Sequence, residues 1–211
     1  QVLRIEPDRL RVITPDVGGG FGTKGYLYPE YGLVCWAAKR LGRPVKWVSG
    51  RDEAFLSDAH ARAQISHVSL ALDAEGRFLA VRLETVADLG AYVSAFALHV
   101  ASGGSARTMT GPYHVPVMHV RVQGVFTHTS WVDAFRGAGQ PEGAYQMNRT
   151  IDVAAREMGL GREEIRRRNL VPASAMPYTN PLGHHYDSGD FPAAFERALE
   201  LGDWAGFAAR R

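Results

Sequence analysis

One cysteine, Cys35, is the whole thiol content of this 211-residue sequence. An internal disulfide and any multi-cysteine zinc or iron–sulfur site within the chain are thereby excluded. Long apolar runs are also missing: nothing approaches the roughly 18 residues of a membrane span, and no signal-like segment opens the sequence. Neither sign of charge dominates, because 24 basic against 22 acidic residues leave a net charge of only +2. That field is too weak to point to nucleic acid, and the expected location is the cytoplasm. Eight histidines contain one adjacent pair, His184-His185, and no His-x-His or His-x₃-His pair. Neighbouring side chains project apart on a helix or strand, so a metal site built from protein ligands is not expected. Repeats and low-complexity tracts are absent as well.

What the sequence does hold is glycine in two concentrated places. Asp16-Val17-Gly18-Gly19-Gly20-Phe21-Gly22-Thr23-Lys24 packs four glycines around one aromatic ring. Such a stretch presents bare backbone, and its position between an apolar run and a helical pattern favours an anionic guest at the helix end. Taken alone the pattern is weak, being neither Gly-x-Gly-x-x-Gly nor a P-loop. The second stretch, Asp133-Ala134-Phe135-Arg136-Gly137-Ala138-Gly139-Gln140-Pro141-Glu142-Gly143, also opens a helix. Two such loops suggest two walls of one site.

Periodicity predicts a strand at Leu10–Ile13, a helix over about Tyr28–Leu41 and a strand at Val45–Val48, together a βαβ-like N-terminal element. Cys35 falls at helical spacing with Tyr31, Val34, Ala38 and Leu41, which reads as a small core residue. Val68, Leu70 and Leu72 alternate with polar residues, Asp73-Ala74-Glu75-Gly76 makes a turn, and Leu79, Val81 and Leu83 continue the same face of a hairpin. Helical character is expected between Tyr92 and Arg107, and a strand through Met118, Val120 and Val122. Three helices fill the C-terminal third. The first sets Ala144, Met147, Ile151, Ala154 and Met158 on one face, the second spans about Arg162–Asn169, and the third follows Asp190 as N-cap. The expected class is α+β, a mixed sheet with packed helices.

Four motifs stand in sequence order: Gly18-Gly19-Gly20-Phe21-Gly22-Thr23-Lys24, Phe135-Arg136-Gly137-Ala138-Gly139-Gln140-Pro141-Glu142, Arg166-Arg167-Arg168-Asn169-Leu170, and Tyr178-Thr179-Asn180-Pro181 with Tyr186-Asp187-Ser188-Gly189-Asp190. From about residue 8 to the C-terminus the chain resembles the molybdopterin-binding large subunits of the xanthine dehydrogenase, aldehyde oxidase and carbon monoxide dehydrogenase family. Those subunits are several times longer, so residues 1–211 are expected to be a fragment, the N-terminal half of the molybdenum-binding region. The resemblance implies a molybdenum–molybdopterin cofactor, as molybdopterin or its cytosine dinucleotide. It further implies hydroxylation of a small-molecule substrate with oxygen from water, and electrons leaving through iron–sulfur clusters and FAD on partner domains or subunits. Cofactor contacts are implied for Gly19, Gly20, Phe21, Gly22, Arg136, Gly137 and Ala138, with Phe21 and Arg136 beside the molybdenum but not as side-chain ligands. Lys24 is the weakest candidate, since a lysine at a helix start is usually solvated. The family's glutamate base belongs to a Gly-x-Gly-Glu segment expected beyond Arg211, and no Glu in this chain takes its place.

Departures from the family pattern bear on the substrate. Carbon monoxide dehydrogenases carry a copper-binding cysteine directly after the motif arginine, where this chain has Gly137. Xanthine-oxidising enzymes carry a glutamate after the motif lysine and a phenylalanine two residues after the motif arginine; Gly25 and Ala138 stand there. Loss of the polar anchor alone costs purine binding about 1–3 kcal/mol. An aldehyde, another small carbonyl or an N-heteroaromatic compound is left as substrate. Arg107 lies near where some members place a substrate-binding arginine, although a solvated role reads equally well. Two other classes stay open: a carbon monoxide dehydrogenase-like chain without the copper cysteine, and a non-catalytic binding or assembly module. A dinucleotide-binding protein is disfavoured, because Val45–Val48 offers no acidic residue for a ribose. Arg166-Arg167-Arg168 points in three directions on a helix and reads as a solvated face.

Overall fold

A computed structural model describes residues 3–211. Its centre is a three-stranded mixed sheet: β1 (Gln64–Leu72) pairs antiparallel with β2 (Phe78–Asp88), and β2 pairs parallel with β3 (Val117–Val125). The β1–β2 turn forms as its residues predict. Asp73 Oδ1 accepts from the Glu75 and Arg77 amides at 3.1 and 2.7 Å, and Gly76 takes φ 82°. One expectation fails at this turn. A bulge between Ala71 and Leu72 sets Leu72 opposite Phe78, so Phe78 points into the core and Leu79 is exposed.

Parallel pairing of β2 and β3 requires a crossover, supplied by residues 89–116 with the short helix α3 (Ala97–His99), which continues as a π-helical turn through Gly104. Next come α4 (Gln140–Glu157) and α5 (Arg162–Asn169), and further on α6 (Phe191–Leu201), which Asp190 caps by accepting from the Ala193 amide at 3.0 Å. Met147, Ile151, Ala154 and Ala155 of α4 join Val81, Leu83, Met109, Val115 and Ile165 in the core, whereas Ala144 is exposed and Gly143 takes the buried place. Full burial of Ile151 alone is worth about 1.5–3 kcal/mol. The α+β class, the mixed sheet and the helical C-terminal third are therefore as the sequence indicates.

The βαβ-like N-terminal element is not formed. After the first glycine stretch come one long helix, α1 (Pro29–Leu41), and a short one, α2 (Arg51–Ser57), but residues 10–13 and 45–48 form no strand. Val12, Ile13 and Val48 are largely exposed, and α1 buries none of its residues. Cys35 is accordingly exposed rather than a core residue. A four-residue apolar run becomes a strand only where a neighbouring strand takes its backbone hydrogen bonds, and the sheet forms elsewhere in the chain.

Two of the four motifs turn out to be structural staples. Buried Asn169 accepts from the Phe78 amide at 2.7 Å and donates to the carbonyls of Gly76 and Ile165 at 2.8 and 2.7 Å, tying α5 to the hairpin turn. Buried Asn180 donates to the Arg107 carbonyl and Thr110 hydroxyl and accepts from the Leu182 and His184 amides. The arginine run is fully engaged: Arg166 pairs with Asp152, Arg167 with Glu164 and Glu196, and Arg168 with Glu164. No helix among the described residues is long and apolar enough to cross a membrane.

Candidate functional site

The first glycine stretch folds on itself. Lys24 Nζ donates to the Gly19 carbonyl at 2.7 Å and the Lys24 amide to the Gly20 carbonyl at 3.2 Å, which leaves Phe21 in the left-handed region at φ 50°. Lys24 is thus a loop-closing residue. The loop leads into a single 3-10 turn, Thr23–Gly25, and α1 begins only at Pro29. The expected placement of this loop on a long helix end is therefore incorrect: the intervening Tyr26-Leu27-Tyr28 turns away to build an aromatic cluster with Trp131. The second stretch does open a helix, with Gly139 as the N-cap residue of α4 at φ 98°. A Cβ at Gly139 would run into the Val100 carbonyl and the Ser105 amide, so the loop backbone rests directly on the helical turn after α3.

The two stretches meet, as Phe21 and Arg136 require for a shared site. The Arg136 amide donates to the Phe21 carbonyl at 2.9 Å, and the Arg136 guanidinium lies 5.9 Å from the Phe21 ring centroid. Gly22 seals the junction; a Cβ there would stand 2.7 Å from the Ala134 carbonyl oxygen. In front lies a cleft of about 850 Å³ whose walls include Phe21, Lys24, Arg51, His60, Arg62 and Arg136. Four cationic side chains face it against the single carboxylate of Asp58, so the cleft suits an anion.

Several residues that hold this junction carry no local sequence signal. Asp133 is fully buried and accepts from the Tyr26 hydroxyl, the Ala134 amide and the Phe96 amide, the last at 3.2 Å. Arg62 sits at φ 68° and donates to the Arg136 carbonyl at 2.6 Å. Arg107, in contrast, donates to the Gly183 carbonyl at 3.0 Å and is not on the cleft wall. Gly25 occupies the 3-10 turn with open space where a Cβ would be. Gly137 takes φ 99° and Ala138 φ 46°, and with Gly139 they make three consecutive left-handed residues that turn the chain into α4. A second, polar groove lies between β1 and α4, where Glu142 Oε2 and Gln146 Oε1 are buried without a partner among the described residues.

Burial, and next the hydrogen bond to Asp133, push the Tyr26 hydroxyl well above the ordinary tyrosine range. The folded state therefore keeps this proton at a pH where the unfolded chain has released it. The contribution is fully present below about pH 10 and is lost as pH rises beyond it. Tyr26→Phe should flatten the alkaline decline of stability, measured as chemical-denaturation midpoints between pH 9 and 11; an unchanged decline would place the titration elsewhere.

Residues 1–170 match the molybdopterin cofactor-binding domain. The chain belongs to that family. It is 37% identical over 210 residues to the 6-hydroxypseudooxynicotine dehydrogenase complex subunit gamma of Paenarthrobacter nicotinovorans, covering 97% of this chain and 26% of that one. It is 34% identical to the carbon monoxide dehydrogenase large chain of Hydrogenophaga pseudoflava, again over 98% of this chain and 26% of the relative. Among solved structures, quinoline 2-oxidoreductase from Pseudomonas putida 86 superposes with a TM-score of 0.86 at 38% identity, over 93% of this chain and 25% of that chain. The chain thus spans about a quarter of the length of these relatives.

The cleft of this molybdopterin-binding chain fits the chemistry of the cofactor. A Cβ built at Gly18 or Gly20 meets nothing within 4 Å, and neither amide has an acceptor among the described residues, so this backbone is open to a ligand. Phe21 and Phe135 offer aromatic faces, and the cationic surplus suits a phosphate.

Proposed function

We propose that this chain seats molybdopterin, or its cytosine dinucleotide, between its two glycine loops, and that the protein to which it belongs is a molybdenum hydroxylase. When bound, the cofactor supplies the two-electron redox chemistry of a hydroxylation that takes its oxygen from water. The observation that carries the reading is the junction of Phe21 with Arg136, formed across 115 residues of sequence at the mouth of a cationic cleft. In this reading the amides of Gly19, Gly20, Gly22 and Gly137, which have no acceptor among the described residues, bind anionic oxygens, while Ala138, whose amide donates to the Phe135 carbonyl at 3.0 Å, lines the cofactor as part of the loop's turn. Arg136 adds a positive charge beside Phe21 that would stabilise negative charge on the bound group. Phe21 and Phe135 exclude water from one side of the cleft. Gly25 and Ala138 leave room for substrate, and Arg107 acts at most from outside the cleft. A base from another part of the protein completes the site, and iron–sulfur and flavin domains or subunits take the electrons.

An aldehyde or N-heteroaromatic substrate is the reading we favour, because Gly137, Gly25 and Ala138 lack the copper ligand and both purine contacts. The names of the quinoline and hydroxypseudooxynicotine enzymes point the same way. The loaded, full-length protein should turn over aldehydes or quinoline-type rings at least tenfold faster than carbon monoxide or xanthine in steady-state assays. Preferential carbon monoxide turnover would overturn the inference from Gly137. Efficient xanthine turnover would overturn the one from Gly25 and Ala138. A purified protein that holds no molybdenum would leave the non-catalytic binding module as the better account.

A further inference from the structure

Five non-glycine residues among those described have left-handed backbone; Phe21 and Arg62 line the cleft, and Ala138 lies in the second loop two residues beyond Arg136. Phe21 and Ala138 belong to the glycine loops; Arg62 does not. It precedes β1, and its side chain reaches across 74 positions of sequence to the second loop. Arg62 Nη2 donates to the Arg136 carbonyl at 2.6 Å and approaches the Phe135 carbonyl at 3.4 Å, while its guanidinium lies 5.1 Å from the Phe135 ring centroid. Backbone strain of this kind, on the order of 1–3 kcal/mol, persists only where the surroundings fix it. Here the grip on the loop is what fixes it.

We infer that Arg62 is a positioning residue, which locks the Phe135–Gly137 backbone so that the Arg136 side chain and the Gly137 N–H are aimed for the cofactor. The inference rests on the molybdopterin reading above. Its geometry follows from the peptide group. The Arg136 carbonyl and the Gly137 N–H share one planar trans unit and point in opposite directions, so holding the oxygen sets the direction of the N–H. Gly137 is exposed, and its amide finds no acceptor among the described residues. The preceding peptide, Phe135–Arg136, is held by its own N–H, since the Arg136 amide donates to the Phe21 carbonyl. Arg62 thus closes a chain from the segment before β1 through Arg136 to Phe21. A charged donor on a carbonyl is among the stronger neutral-acceptor bonds. Lysine can reach one carbonyl but cannot stack a planar fork on Phe135.

The test uses full-length protein with Arg62→Met and Arg62→Lys beside wild type. Molybdenum content, rate per bound molybdenum and hydrogen exchange of the peptide spanning residues 135–139 are measured for each. Arg62→Met should exchange faster in that peptide with β2 unchanged, and lose about tenfold or more in kcat per molybdenum, since small misplacements of reacting groups cost that much. Arg62→Lys should lie between. Should Arg62→Met fail to fold, the graded response of Arg62→Lys decides. Unchanged exchange, or a rate per molybdenum equal to wild type, overturns the positioning role and leaves the cofactor reading standing. Wild-type protein without molybdenum overturns that reading, and this inference with it.

Discussion

Gly22→Val should strip the full-length protein of molybdenum, lowering its content at least tenfold, while the central domain stays folded. Two effects act together at this position. Gly22 has φ 83°, a conformation that a β-branched residue occupies at a cost of about 1–3 kcal/mol. A Cβ would also stand 2.7 Å from the Ala134 oxygen and 3.1 Å from its carbonyl carbon, both backbone atoms that cannot rotate away. The second loop must therefore retreat, and the bond from the Arg136 amide to the Phe21 carbonyl breaks as it does. The core around Val81, Leu83, Met147, Ile151 and Ile165 involves neither loop, so unfolding should shift by a few kcal/mol at most. Gly20→Ala is the matching control. Its Cβ meets nothing in the protein, so any molybdenum that this variant loses reports contact with the ligand rather than with the fold. Elemental analysis beside thermal unfolding reads all three proteins. Gly22→Val with full molybdenum would show that the junction does not hold the cofactor.

How much of this was legible in the residues varies with the range of the interactions involved. The hairpin, α4 and the Asp190 cap were readable because alternation, helical spacing and a capping side chain act within a few positions. The glycine loops were readable as loops. Their meeting was expected only through the family pattern, since nothing local to Phe21 names Arg136. The two N-terminal strands were misread because Leu10–Ile13 and Val45–Val48 have the composition of strands but no neighbour to pair with. Leu79 was placed on the wrong face because a bulge shifts register by one residue and leaves no mark in an alternating sequence. Arg62 was overlooked for a similar reason: its partners are two backbone carbonyls 73 and 74 positions away, and a carbonyl has no residue identity to read. Asn169 and Asn180 show the converse. Their motifs were visible, but only the structure reveals that each amide spends its donors and acceptors on stapling the fold.

Asp133→Ala should be the most destabilising single change near the cleft, roughly 3–6 kcal/mol by thermal or denaturant unfolding of the full-length protein. Its carboxylate is fully buried and joins three segments that sequence keeps far apart: Tyr26 after the first loop, Phe96 before α3, and Ala134 at the start of the second loop. Alanine would leave a hydroxyl and two amides short of acceptors, each worth about 1–3 kcal/mol when buried. The Ala134 amide keeps one alternative, the Tyr26 oxygen at 3.0 Å, which holds the total below the simple sum of three. Asp133→Asn preserves an acceptor for Tyr26 and turns an NH₂ group toward one amide, so it should lose clearly less than alanine. Tyr26→Phe removes one donor and leaves the carboxylate two amides, which predicts the mildest change, about 1–2 kcal/mol. The order Ala, Asn, Phe follows from counting unmet partners. Because the three segments carry both loops, molybdenum content should fall in the same order as stability. An Asp133→Ala protein that unfolds within 1 kcal/mol of wild type, about the worth of one ordinary hydrogen bond, would show that the aromatic packing of Tyr26 and Tyr28 on Trp131 holds the first loop without this carboxylate.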